Sequence, residues 1–144
     1  MESSVPLSYK IDKDRKLVRC TGFGFVAKEE VFAQQDQLLN DPDFDPSFIQ
    51  LADFAQLTDT DIGMADLQVI AQRDVFSIHS RRAILVNGDV AFGFAKIFEV
   101  YRKLAGAHGI QVFRTTDEAL DWLFTPGANL TRSQVESGAG STLP

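Results

Sequence analysis

The order of hydrophobic patterns predicts an α/β fold: a five-stranded, mostly parallel sheet that opens on an antiparallel hairpin and carries four helices. Three observations predict it. Two alternating segments near the start are joined by Asp12-Lys13-Asp14-Arg15, a connection too short for a parallel crossover. After that hairpin, strand-like and helix-like patterns alternate as far as residue 124. Finally, Ala83-Ile84-Leu85-Val86 is a continuous apolar run, as expected of a central strand covered on both faces.

Leu7, Tyr9 and Ile11 alternate with polar residues and give the first strand; residues 16–25 give the second. Residues 27–40 suit a helix, with Val31, Phe32, Gln35, Leu38 and Leu39 on one face. Asp41-Pro42-Asp43-Phe44-Asp45-Pro46 is a loop, because each proline bars its predecessor from helix. The third strand is expected over residues 48–54. Residues 56–61 suit a polar turn that caps a helix running to about Asp74, with Met64, Leu67, Ile70 and Ala71 buried. Residues 81–86 form the fourth strand, and Asn87-Gly88-Asp89 opens the longest helix, to about Ala107. Its expected inward face is Phe94, Ile97, Phe98, Tyr101 and Ala105. Residues 110–113 make a short fifth strand. Thr115 and Glu118 have capping-box spacing for a last helix carrying Leu120 and Leu123.

With 144 residues, one domain is expected over residues 1–126, large enough to need no disulfide or metal staple. Residues 127–144 lack aromatics and any helical stripe, and a disordered tail is expected there. Fourteen basic residues against twenty acidic ones argue against nucleic acid as a partner. No stretch is long and apolar enough for a membrane span, and the first residues lack the pattern of a signal peptide. One cysteine, Cys20, suits a reducing, cytoplasmic setting.

The chemical motifs are weak. Gly22-Phe23-Gly24-Phe25-Val26-Ala27 has the G-x-G-x-x-A form of a dinucleotide fingerprint, but its strand pairs in a hairpin and its phenylalanines continue the strand alternation. A glycine-bearing strand end that bends or packs closely fits better. Asp41, Asp43 and Asp45 start like a calcium loop, which then fails at Pro46 and Ala52. His79 and His108 are far apart, and Cys20 has no histidine suggested beside it. No metal, no cofactor and no catalytic residue is therefore expected.

The segments LSYKIDKDRKLVRCTGFG, LLNDPDFDPSFIQLADFAQLTDTDI, RRAILVNGDVAFGFAKIFEVYR and VFRTTDEALDWL carry a family resemblance. Over about residues 7–124 the chain resembles the bacterial STAS/SpoIIAA-like domains, the fold of anti-anti-sigma factors, to which CRAL-TRIO lipid-binding domains are related. The resemblance implies a regulatory protein–protein interaction module. In the anti-anti-sigma members, an Asp-Ser-Ser-Gly motif at a helix start carries the phosphorylated serine. Here Asp61 matches the aspartate, while Ile62 and Gly63 stand at the serine positions, so the serine phospho-switch is not expected.

Open α/β sheets bind ligands outside the carboxyl ends of their strands. The candidate binding residues are therefore Asp53, Thr58, Asp59, Thr60 and Asp61 after the third strand, and Asn87, Gly88 and Asp89 after the fourth. Phe92 joins them, because its helical stripe otherwise holds Lys96, Glu99 and Lys103. A non-catalytic module binding a protein partner is the favoured function. A carrier of a small apolar ligand is the alternative, on the CRAL-TRIO relationship and twelve phenylalanines, and an enzyme is the second. Partner identity and oligomeric state are open at this level.

Overall fold

The computed structural model describes residues 5–125; the tail expected over residues 127–144 lies outside them. In chain order the elements are β1 (Leu7–Asp12), β2 (Leu17–Val26), α1 (Lys28–Leu39), β3 (Ile49–Thr60), α2 (Met64–Gln72), β4 (Arg82–Val86), α3 (Asp89–Leu104), β5 (Ile110–Phe113) and α4 (Thr116–Phe124). The five strands lie side by side in sequence order, β1 antiparallel to β2 and every other pair parallel.

Strand alternation divides the apolar residues between two faces. On one, Val18, Cys20, Ala52, Ile84, Val86, Ile110 and Val112 pack with Leu38 of α1, Ala95 of α3 and the loop residues Val75 and Phe76. On the other, Leu17, Leu51, Ala83, Leu85 and Phe113 pack with Ala119 and Leu123 of α4. α2 sits between α1 and α3: Gln35 of α1 donates to the Ile70 carbonyl, and Arg102 of α3 donates to the Ala71 carbonyl. Successive strands added at one edge by right-handed crossovers put α1, α2 and α3 in one layer, leaving α4 alone beneath.

β3 runs six residues beyond the expected end, and the predicted polar turn is strand instead. Phe23, Gly24, Phe25 and Val26 pair with Gln56, Leu57, Asp59 and Thr60, while β4 stops pairing at Phe54. At about 3.3 Å per residue, this two-stranded ribbon projects roughly 20 Å past the end of β4. Register shifts at Thr21/Phe23 and Gly24/Phe25 bend it, and Gly24 takes the positive φ (64°) that the second shift requires. At Gly22 a Cβ would lie 2.7 Å from the Phe54 ring. These glycines serve bending and close packing within a strand.

α3 is turned from its expected orientation. Ala95, Glu99 and Arg102 are buried, and Ala91, Phe92 and Phe98 pack against the core. Phe94, Ile97 and Tyr101 are half-buried, and Ala105 is an exposed C-cap. Arg102 is fully enclosed and donates to the Ala71 and Arg73 carbonyls at the end of α2, where a cation suits the negative end of the helix dipole. Glu99 is not on a solvated face; it lies beneath Lys96 and Lys103, at 3.0 and 2.5 Å. α2 ends at Gln72, two residues short of the expected Asp74, and Met64 is exposed.

Candidate functional site

The carboxyl end of β5 carries Arg114, which joins the next strand connection to the start of α3. Its guanidinium lies 4.2 Å from the Phe92 ring centroid and 2.9 Å from the Asp89 carboxylate. Phe92, Gln111, Val112, Phe113, Arg114 and Glu118 line an open groove of about 410 Å³. Among the described residues β5 is an edge strand, so the groove runs along backbone that no further strand there pairs. Glu118 comes from the first turn of α4, where Thr115 accepts its N–H at 3.3 Å. The groove thus has an aromatic floor, one cation, two carboxylates near its rim and a line of backbone polar groups.

The candidate residues fall in three places. Asn87, Gly88, Asp89 and Phe92 stand together at the start of α3, with Gly88 as the N-cap. Phe92 needs no exposed role to explain it, because one side packs on the core while the other lies beneath Arg114. Asp53 is inside β3 on the α4 side of the sheet and accepts from the Ala55 N–H. Thr58, Asp59 and Thr60 belong to the ribbon and do not cap α2. That helix begins at Gly63, whose N–H donates to Asp66 at 2.9 Å.

Asp61 has a different task from the expected one. Parallel pairing brings the end of β3 beside the end of β2, where α1 starts. The α1 N-cap is Ala27, which has no side-chain acceptor, and Asp61 supplies one by accepting the Lys28 N–H at 2.8 Å. Glu30 accepts the Ala27 N–H at 2.8 Å from within the helix. The Thr60 hydroxyl is tied down nearby, donating to the Val26 carbonyl at 2.6 Å and accepting from the Ile62 N–H at 3.2 Å.

At the opposite end of the sheet, Cys20 is buried and accepts from Gln50 Nε2 at 3.1 Å. Burial pushes its thiol up to about 11, so it is held as a thiol at neutral pH. Gln50 also accepts from Arg82 Nε at 2.9 Å, and Arg82 lies over Phe76 at 4.6 Å and Phe98 at 5.8 Å. Sequence reasoning missed Arg102 as a core residue and Arg82 as a half-buried one; their long apolar stems let them pack there. Asp41 and Asp45 accept local backbone N–H groups, from Asp43 and Ser47, which holds both carboxyls below their usual range. His79 and His108 are exposed.

Among the described residues, no helix is long and apolar enough to cross a membrane. No protein-family model and no curated protein matches the sequence. Among solved structures, the chain is similar to an uncharacterized protein of the DUF3478 family from Shewanella loihica PV-4, described as having a SpoIIAA-like fold. The two share 19% identity and a TM-score of 0.52, over 85% of this chain and 98% of that one. With four helices and a five-stranded sheet, antiparallel in its first pair alone, the chain has a SpoIIAA-like α/β fold.

Proposed function

We propose that this chain is a non-catalytic regulatory module that binds a protein partner in the groove beside β5. The observation that carries the reading is the stack of Phe92, Arg114 and Asp89 at the head of that groove. An aromatic backed by the core is a rigid anchor, and the charges around it select a partner's register. The unpaired edge of β5 suits an extended segment that adds to the sheet by backbone hydrogen bonds. Binding without catalysis is supported by the state of Cys20, a buried thiol hydrogen-bonded to an amide. Regulation without the serine switch is supported by Ile62 and Gly63 at the start of α2, and by the engaged Thr60 hydroxyl.

The test is a photo-crosslinking amino acid placed at Gln111 or Glu118 in the native cell, with Lys10 and Arg19 on the open sheet face as control positions. The expected result is one dominant protein adduct from the groove positions, lost in Arg114→Glu and absent from the controls. Equal labelling at all four positions, or an adduct indifferent to Arg114→Glu, would place the surface elsewhere.

A further inference from the structure

α3 has apolar residues on more than the face it turns to the sheet. Val90, Ile97 and Leu104 recur every seven residues, with Gly93, Phe94, Val100 and Tyr101 between them. Val90 is 90% exposed, Leu104 80% and Val100 52%, while Ile97, Phe94 and Tyr101 are half-buried. At 100° per residue, Ile97 lies about 140° round the helix from Phe92. The stripe is therefore separate from the groove beside β5 and points away from the sheet.

We infer that α3 pairs antiparallel with α3 of a second copy of this chain, about a two-fold axis at Ile97. The spacing is self-complementary under that operation. Val90 meets the partner's Leu104, and Ile97 meets the partner's Ile97. On one flank the small Gly93 faces the partner's Val100; on the other, Phe94 faces the partner's Tyr101. Charge selects the same direction. Antiparallel pairing sets Asp89 near the partner's Lys103 and opposes the two helix dipoles. Sixteen residues make a helix about 24 Å long. One such face against another buries on the order of 1,000 Å² over both copies, the lower bound for a specific interface. The second copy is thus held reversibly, with a dimer that dilution separates.

The test is sedimentation of the full chain across a wide concentration range, with variants carrying one added surface cysteine crosslinked by a short bismaleimide. Buried Cys20 stays unlabelled. The mass should rise with concentration from 15.9 kDa to twice that value. Leu104→Glu, at a site too exposed to matter for folding, should return it to monomer, since each dimer carries the change twice. Ile97→Cys should crosslink to itself. Val90→Cys should not, because the two copies of residue 90 stand about 21 Å apart along the helices; mixed with Leu104→Cys it should crosslink. A chain that stays monomeric at every concentration overturns the inference. So does a dimer that survives Leu104→Glu, or one in which Val90→Cys links to itself.

Discussion

Removing Asp61 should loosen a helix that starts more than thirty residues before it in the chain. α1 begins at an alanine, so its first amides depend on acceptors from outside the N-cap, and Asp61 reaches the Lys28 N–H at 2.8 Å. A side-chain cap contributes about 0.5–2 kcal/mol, and a carboxylate at the positive end of a helix adds roughly 0.3–1 kcal/mol. Asp61 is exposed, so solvent and salt reduce the second contribution. Asp61→Ala should therefore cost about 1–1.5 kcal/mol, or roughly 3–5 °C in Tm for a chain of this size. Asp61→Asn keeps an acceptor and loses the charge; it should cost about 0.3–0.5 kcal/mol, and added salt should erase most of that. Asp61→Arg should be the worst of the three, because it puts a cation at the positive end of the helix dipole. Urea unfolding of the set, with amide exchange at Lys28, checks the mechanism: the Lys28 N–H should exchange faster in Asp61→Ala. If Asp61→Ala melts with wild type, or Lys28 exchange does not change, the cap contributes nothing and Asp61 is free for a binding role.

Gly22→Val should destabilise by about 1–3 kcal/mol, since its Cβ would press on the Phe54 ring at 2.7 Å; Gly22→Val combined with Phe54→Ala should recover part of the loss in thermal melts. Phe92→Ala should cost about 2 kcal/mol for a half-buried ring that also carries Arg114, and Arg114→Ala should cost less than 1 kcal/mol; equal losses would mean that the ring contributes through the cation alone. Burial pushes the Cys20 thiol up to about 11 against about 9 for a free thiol, so the contribution of Cys20 to stability should be constant below pH 9 and fall by about 2–3 kcal/mol towards pH 11. The change with pH should lose that part in Cys20→Ala, as followed by urea midpoints at fixed pH, while Tyr9, pushed up to about 12 by burial and its hydrogen bond to Asp41, keeps a dependence of its own above pH 10.

The element order was legible because neighbouring elements differ in pattern and are separated by polar or glycine- and proline-bearing connections. The hairpin was signalled by its four-residue charged connection, and β4 by its unbroken apolar run. The far half of β3 was not legible, because Gln56, Thr58, Asp59 and Thr60 give the composition of a turn. They are strand because the ten-residue β2 offers them a partner, and pairing of this kind leaves no mark on the sequence of one strand. The orientation of α3 was hidden for the opposite reason: apolar residues cover so much of its circumference that periodicity cannot choose between two stripes. The stripe through Ala91, Ala95 and Phe98 faces the sheet, and its small residues let α3 approach closely. Of the candidate site, Asp89 and Phe92 stand at the groove. Arg114, which organises it, lay beyond the short strand and showed no pattern of its own.

The sheet is laid down in the order in which the chain leaves the ribosome. Val18 pairs with Gln50, Ala52 with Ile84 and Ile84 with Val112, so each parallel pairing closes a segment of about thirty residues onto a strand already made. Among the described residues, no strand waits for a partner encoded far downstream, and no later strand must insert between two earlier ones. Loop-closure entropy depends only logarithmically on length, so these three closures cost nearly the same. Synthesis can therefore ratchet the sheet forward one crossover at a time from the β1–β2 hairpin. The growing edge passes from β3 to β4 to β5, and it stops at the strand whose outer side forms the groove.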